Sequence, residues 1–182
     1  MKKLSVYYLV ILFLGCNIPS VFATNPPALK PGDPAPKFVL SQMGGDKVFL
    51  SDYCGKKLRQ PWKNIIKYPV VLSFFSTTCE PCKVEIPILQ EIAKSYPDSS
   101  VKFFLICVGE EEAKVKAFVE EQGYTLPVLL DQFMLVSKNY GNPQKVPKLT
   151  LIDKEGNIVM FEEGYSEKNM EELKKLLVKV TK

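Results

Sequence analysis

Residues 70–87 read VVLSFFSTTCEPCKVEIP, and this stretch decides the fold. The apolar run from Pro69 to Phe75 has the length of a strand and predicts a buried central strand. A Cys-Glu-Pro-Cys motif follows at once, and apolar side chains then recur at helical spacing from Glu80 to Tyr96. The motif therefore stands where a strand ends and a helix begins. Pro87, inside this helix, predicts a kink.

This position gives the two cysteines different chemistry. The unpaired N–H groups and the dipole at a helix N-terminus favour an anion, so we expect Cys79 to be rich in thiolate. A thiolate attacks a disulfide and forms a mixed disulfide, which the deeper Cys82 is placed to resolve. Glu85 lies one turn further on, where a partly buried carboxyl with a raised pKa would move protons for Cys82. A solvated helix charge is the alternative for Glu85.

The cysteine pair has two other interpretations, a permanent structural disulfide and half of a zinc site. Zinc needs two further ligands, but Cys54 and Cys107 stand alone and the chain has no His. We therefore predict a redox pair and no metal site. Cys107 ends a predicted buried strand, where we expect it to act as a small apolar side chain. The sequence does not decide whether Cys54 and Cys107 pair with each other.

Composition limits the remaining functions. A chain of 182 residues, 46% hydrophobic and 24% charged, has room for one globular domain. The absence of His excludes Cys-His and Ser-His-Asp catalysis. The only Arg is Arg59, so the net charge of +4 includes no arginine cluster for phosphates, and we predict no nucleic-acid partner.

The N-terminus is typical of an export signal. Lys2 and Lys3 precede an apolar run that ends at Leu14, too short for a membrane span of ~20 residues. Cleavage after Ala23 and lipidation of Cys16 are both compatible with the residues that follow. We predict a signal peptide over 1–23, or a lipoprotein signal ending before Cys16, then a Pro-rich lead-in over 24–36 and a domain over 37–182. The domain would work outside the cytoplasm, in a bacterial periplasm, either soluble or lipid-anchored to a membrane.

The rest of the chain alternates strands and helices. Phe38 to Leu50 carries Gly44-Gly45 in its middle and predicts a β-hairpin. Further strands are predicted over 101–108, 127–130, 149–153 and 158–161, and helices over 110–122, over 134–140 and from an N-cap at Ser166. This order predicts an α/β domain with a mixed sheet.

The motif and its surroundings resemble a known family. Residues 74–87, the lead-in segment GDPAP at 32–36, Val146-Pro147 and the turn at 153–156 are together similar to the TlpA/ResA-like extracytoplasmic thiol-disulfide oxidoreductases. This group includes the cytochrome c biogenesis thioredoxins. The resemblance implies a thioredoxin fold, a central mixed β-sheet flanked by helices, here with an N-terminal β-hairpin extension. It also implies that Cys79 is the nucleophile, Cys82 the resolving thiol, and the two together the redox disulfide.

The resemblance also implies the rest of the site. Glu85 matches the acidic residue that follows the second cysteine in the family, and Pro147 matches a cis-proline that faces the disulfide. We predict that Val146 and Pro147, together with Thr78 and Pro81, contact substrate. No soluble cofactor is implied. A membrane thiol-disulfide transporter would supply electrons for disulfides of exported proteins such as apocytochrome c, and the domain would be a monomer.

Three departures from the family bear on substrate. Thr78 replaces the usual Trp before the first cysteine, and Ser73 stands where thioredoxins have a buried Asp. The segment from Lys56 to Lys67 is longer than usual and holds the only Trp, Trp62. It is either a docking surface for a partner or a surface loop with one aromatic packed down.

The sequence leaves two other functions open. A peroxiredoxin-like peroxidase would need a Thr three residues before the reactive cysteine, a Pro further back and a nearby Arg. Ser76 and Leu72 occupy the first two positions, and Arg59 is distant in sequence. A non-enzymatic binding module would use the two thiols to hold an apoprotein or a soft metal such as Cu(I).

Overall fold

A computed structural model of the protein describes residues 29–56, 66–97 and 100–182. The predicted signal peptide, Cys16, Arg59 and Trp62 lie outside the described residues. Seven strands form one mixed sheet in the order β2-β1-β5-β4-β3-β6-β7. Their bounds are β1 Val39–Gln42, β2 Lys47–Phe49, β3 Val70–Phe75, β4 Lys102–Val108, β5 Val128–Asp131, β6 Lys148–Ile152 and β7 Ile158–Glu163. The predicted fold class, a central mixed sheet flanked by helices, is confirmed.

Strand β3 is the centre of the sheet, as its apolar run predicts. All of its residues are buried, and it pairs in parallel with β4 and antiparallel with β6. Side chains of a strand point alternately to its two faces. Val71 and Phe75 therefore pack with the helix that carries the cysteine motif, and Ser73 lies between them on this face. The alternate side chains, such as Leu72, form the core on the other face.

In the described part of the chain, four α-helices flank the sheet, at α1 Glu80–Lys94, α2 Glu112–Gln122, α3 Leu135–Asn139 and α4 Glu167–Val180. Helix α1 is two residues shorter than predicted and is capped by Ser95, whereas Pro87 lies inside it as expected. The predicted N-cap of α4 is confirmed, because Ser166 Oγ accepts a hydrogen bond from the N–H of Asn169 at 3.2 Å. The apolar sides of α1 and α4 share one core with Val71; its helical members include Leu89, Ile92, Met170, Leu173 and Leu177.

The predicted N-terminal hairpin, formed by β1 and β2, extends the sheet beyond β5. Strand β1 pairs antiparallel with β2 and also with β5. Gly44 and Gly45 make its turn at φ of 93° and 129°, a region that other residues rarely adopt. The described part of the Pro-rich lead-in lies along β7, where the N–H of Gly32 donates to the carbonyl of Ile158 at 2.8 Å.

Within the three described ranges, no helix combines the length and the apolar character that crossing a bilayer requires.

Candidate active site

The two cysteines of the motif are joined in a disulfide at the start of α1. Cys79 is the N-cap of the helix, and its sulfur accepts a hydrogen bond from the N–H of Cys82 at 3.2 Å. This contact puts the sulfur of Cys79 among the unpaired N–H groups of the first turn, where a negative charge is stabilised. Cys79 is 7% exposed and Cys82 only 1%, so Cys79 is the more exposed residue of the pair.

Glu85 lies one turn into α1 from Cys82 and is completely buried. Its Oε1 accepts a hydrogen bond from Ser73 Oγ at 2.7 Å, whereas its Oε2 has no hydrogen-bond partner among the described residues. Burial raises the pKa of Glu85 to about 7, although the bond from Ser73 acts in the opposite direction. The alternative of a solvated helix charge is wrong. A carboxyl with this pKa holds or releases a proton near neutral pH.

The Val146–Pro147 peptide bond is cis and immediately precedes β6. Pro147 is buried, whereas Val146 is half-buried and packs against the apolar cluster that contains Cys79 and Cys82. Thr78 and Pro81 are exposed on either side of the first cysteine. Thr78 and Pro81 therefore flank Cys79 in the chain, and Val146 packs against the apolar cluster to which Cys79 belongs.

Glu110 is a charged residue of this region whose role has no local sequence signal. Glu110 follows β4 and accepts hydrogen bonds from both the N–H and the hydroxyl of Thr77, at 2.8 and 2.7 Å. It lies 33 residues beyond Thr77 and looks in the sequence like one more charge at the start of a charged helix. Only the parallel pairing of β3 with β4 brings the two together.

Lys148 is a second residue near the site whose contacts have no local sequence signal. It follows the cis-proline, is completely buried, and its Nζ donates to the carbonyls of Ser137 and Asn142 at 3.2 and 3.0 Å. Burial lowers its pKa to about 8, although the carboxylates of Glu163 and Asp131 act in the opposite direction. These bonds attach the chain that precedes Val146 to the start of β6. The sequence signal was a lone Lys inside an apolar strand.

The other described cysteines do not pair. Cys54 and Cys107 are both free and buried. Burial raises the pKa of Cys54 to about 12 and also raises that of Cys107, so both stay protonated thiols at neutral pH. Cys107 is not purely apolar, because its thiol donates to Glu110 Oε2 at 3.3 Å. In the part of the chain that the structure describes, no group of three or more His, Cys, Asp or Glu is placed to hold a metal ion.

Comparison with known proteins agrees with this geometry. The model of the AhpC/TSA family matches residues 31–161. The thiol-disulfide oxidoreductase ResA of Geobacillus thermodenitrificans is 33% identical over 153 residues, which cover 84% of this chain and 80% of that protein. ResA of Bacillus thuringiensis subsp. konkukian is 29% identical over 100% of this chain and 99% of its own length.

Solved structures show the same fold. The exposed lipoprotein thioredoxin of Streptococcus pneumoniae strain TIGR4 superimposes with a TM-score of 0.62 at 29% identity, over 79% of this chain and 99% of its own. StoA from Bacillus subtilis superimposes with a TM-score of 0.59 at 22% identity, over 78% of this chain and 96% of its own, a likeness of fold alone.

Proposed function

We propose, from the premise that this chain belongs to the AhpC/TSA family and is a thiol-disulfide oxidoreductase of the ResA type, that it reduces disulfides of exported proteins such as apocytochrome c. The observation that carries this proposal is a cysteine pair at a helix N-terminus, in which Cys79 is slightly exposed and Cys82 fully buried, followed one turn later by the buried carboxyl of Glu85. The proposed site of action lies outside the cytoplasm, soluble or lipid-anchored at Cys16. The lipoprotein thioredoxin among its structural relatives supports an anchored form.

The first step is an attack by the thiolate of Cys79 on a substrate disulfide. A new bond forms between the sulfur of Cys79 and one substrate sulfur, and the other substrate sulfur leaves as a thiolate. The helix N-terminus favours the attacking thiolate, because the N–H of Cys82 already points at this sulfur. Val146 would offer its backbone to the extended substrate, with Pro147, Thr78 and Pro81 completing the contact surface.

The second step resolves the mixed disulfide. With a pKa of about 7, Glu85 is ionised in part of the molecules at neutral pH, and the ionised carboxylate takes the proton of the Cys82 thiol. The thiolate of Cys82 then attacks the sulfur of Cys79, closes the protein disulfide and expels the second substrate sulfur. In total, two electrons pass from the protein to the substrate disulfide. The proton on Glu85 returns to one of the two substrate thiolates, and the other thiolate takes a proton from solvent, which had received the proton of Cys79. A membrane dithiol donor, oxidised in turn, would restore the reduced protein by the reverse exchange.

The test uses single variants and two oxidised peptides. Cys79→Ser is expected to abolish reduction, whereas Cys82→Ser is expected to accumulate a mixed disulfide visible by mass spectrometry, because only the resolving step is lost. One peptide carries the haem-attachment motif Cys-X-X-Cys-His, and the control peptide carries two cysteines further apart. Equal residual turnover in both variants would reject the mechanism, and equal rates with both peptides would reject the apocytochrome preference.

The direction of electron flow has its own measurement, the equilibrium reduction potential of the Cys79–Cys82 pair. A value near or below that of thioredoxin, about −270 mV, supports the proposed reductant. A value near that of a strong oxidant, about −120 mV, would make the protein an oxidant of exported proteins.

A further inference from the structure

Glu110 is a nearly buried carboxylate that binds the loop in front of the nucleophile. Its side chain is 11% exposed and accepts hydrogen bonds from four donors. Two of them belong to Thr77, and the third is the thiol of Cys107 at 3.3 Å. The fourth is the ammonium group of Lys114, one turn further along the chain. The substrate-contact and proton-transfer roles proposed above do not use this carboxylate.

The bound loop, residues 76–78, is the link between β3 and α1. Thr77 gives Glu110 both its backbone N–H and its hydroxyl, so the carboxylate fixes the main chain as well as the side chain. The next backbone bond runs from the N–H of Cys79 to the carbonyl of Ser76 at 3.2 Å. Glu110 therefore holds the turn that delivers Cys79 to the helix N-terminus. The bonds to a charged acceptor make this attachment strong.

Glu110 also brings a negative charge to this loop. Burial raises its pKa, but the bonds from Lys114, Thr77 and Cys107 outweigh burial and keep the pKa below the ordinary value of 4.5. It is therefore ionised across the neutral range. A fixed negative charge bound to Thr77, two residues before Cys79, opposes formation of the Cys79 thiolate, which exists only in the reduced protein.

We propose that Glu110 is a positioning residue that shifts the Cys79–Cys82 pair toward the disulfide and so makes the protein a stronger reductant. Two effects act in the same direction. The fixed loop holds Cys79 where the bond to Cys82 closes, and the charge makes the reduced state less favourable. A disulfide exchanger becomes a stronger oxidant when its reduced form is stabilised, so loss of Glu110 weakens it as a reductant. The inference rests on the proposed function for its biological meaning, but the shift is measurable without it.

The experiment compares Glu110→Gln with Glu111→Gln in the purified protein. Glutamine removes the charge of Glu110 and cannot accept all four bonds, whereas Glu111 is exposed and its side chain caps nothing. Both proteins are equilibrated in dithiothreitol redox buffers, in which each protein disulfide reduced consumes one buffer dithiol. The fraction of alkylated Cys79–Cys82 peptide is then read by mass spectrometry. We expect E110Q to shift the equilibrium constant about tenfold toward the dithiol, which is ~30 mV, and E111Q less than twofold.

Thr77 variants separate the positioning effect of Glu110 from the effect of its charge. They also allow the inference to be tested if E110Q does not fold. Thr77→Val loses the hydroxyl bond to Glu110 but keeps its charge, so we expect a shift in the same direction and smaller, restored by Thr77→Ser. The double variant E110Q/T77V should shift less than the two single shifts combined, because both act through one contact.

Three outcomes overturn the inference. One is a fall in thermal stability with no change in the equilibrium constant, which would leave Glu110 a merely structural residue. The others are a shift toward the disulfide, and equal shifts in E110Q and E111Q. A wild-type potential in the range of oxidants, together with the expected shift in E110Q, would instead reject the proposed reductant while the role of Glu110 stands. A wild-type protein with no reversible couple would overturn both.

Discussion

Glu85→Gln is expected to remove a pH dependence from the stability of this protein. Glutamine has nearly the same shape, and its carbonyl oxygen can accept the bond that Ser73 Oγ donates to Glu85 Oε1. The difference is that glutamine cannot ionise. In the wild-type protein, a carboxyl with no exposed surface must become charged as the pH rises, and burial opposes that charge.

The sign and size follow from the two pKa values of Glu85. The unfolded chain releases this proton near 4.5 and the folded protein near 7, so between these values the unfolded state binds fewer protons. The contribution of Glu85 to stability is thus complete below pH 4.5 and lost as the pH rises through 7. The difference between the two values corresponds to about 3 kcal/mol. Between pH 5 and pH 8 the wild-type protein should lose about 2 kcal/mol relative to E85Q.

The assay is urea unfolding of the oxidised protein at pH 5, 6, 7 and 8, for wild type and E85Q in parallel. The free energy of unfolding is extrapolated to water at each pH, and the difference between the two proteins is plotted. Other titrating groups largely cancel in this difference, because among the described residues the Glu85 carboxyl has one hydrogen-bond partner, Ser73, which does not titrate in this range. A difference that stays constant from pH 5 to pH 8 would refute the buried carboxyl with a raised pKa.

Three further predictions concern the neighbours of this site and the turns of the sheet. Ser73→Ala removes the bond that lowers the pKa of Glu85, so the loss of stability should move above pH 7; an unchanged pH profile would contradict this. Lys148, whose pKa burial lowers to about 8, becomes neutral in the folded state first, so the wild-type protein should gain stability relative to Lys148→Met between about pH 8 and pH 10; a constant difference over this range would contradict this. Gly156→Ala should cost about 1–3 kcal/mol in urea unfolding, since φ is 88° and the new Cβ would lie 2.8 Å from a facing backbone Cα. Gly164→Ala, with similar φ and open space, is the control and should cost less.

The sequence predicted the features that depend on local patterns. A run that is apolar except for Ser73 identified β3, because a strand buried on both faces carries no polar alternation. The hairpin followed from its Gly44-Gly45 turn, and the start of α4 from Ser166. The burial order of Cys79 and Cys82 followed from their places on one helical turn.

Features that depend on strand order could not be predicted in this way. No local pattern shows that the chain after β4 returns beside the loop after β3, so the pairing of Thr77 with Glu110 was invisible. The bond from Ser73 to Glu85 has the same origin, since it joins a strand to the helix packed on it. Lys148 was obscured for another reason. Its partners are backbone carbonyls, which every residue carries and which leave no mark in the sequence.

The two carboxyls near the disulfide are in opposite protonation states at mildly acidic to neutral pH, and their surroundings explain why. Glu85 receives one hydrogen bond from a neutral hydroxyl, too little to offset burial, so it keeps its proton up to about pH 7. Glu110 receives four hydrogen bonds, one from a cation, and stays ionised. A group that titrates near working pH suits proton transfer, whereas a permanently charged group suits a fixed field. Glu85 is therefore suited to the proposed proton exchange with Cys82, and Glu110 to the proposed control of how readily the pair opens. For Glu110 to titrate near neutral pH and Glu85 to stay ionised, the two carboxyls would have to exchange their hydrogen-bond partners.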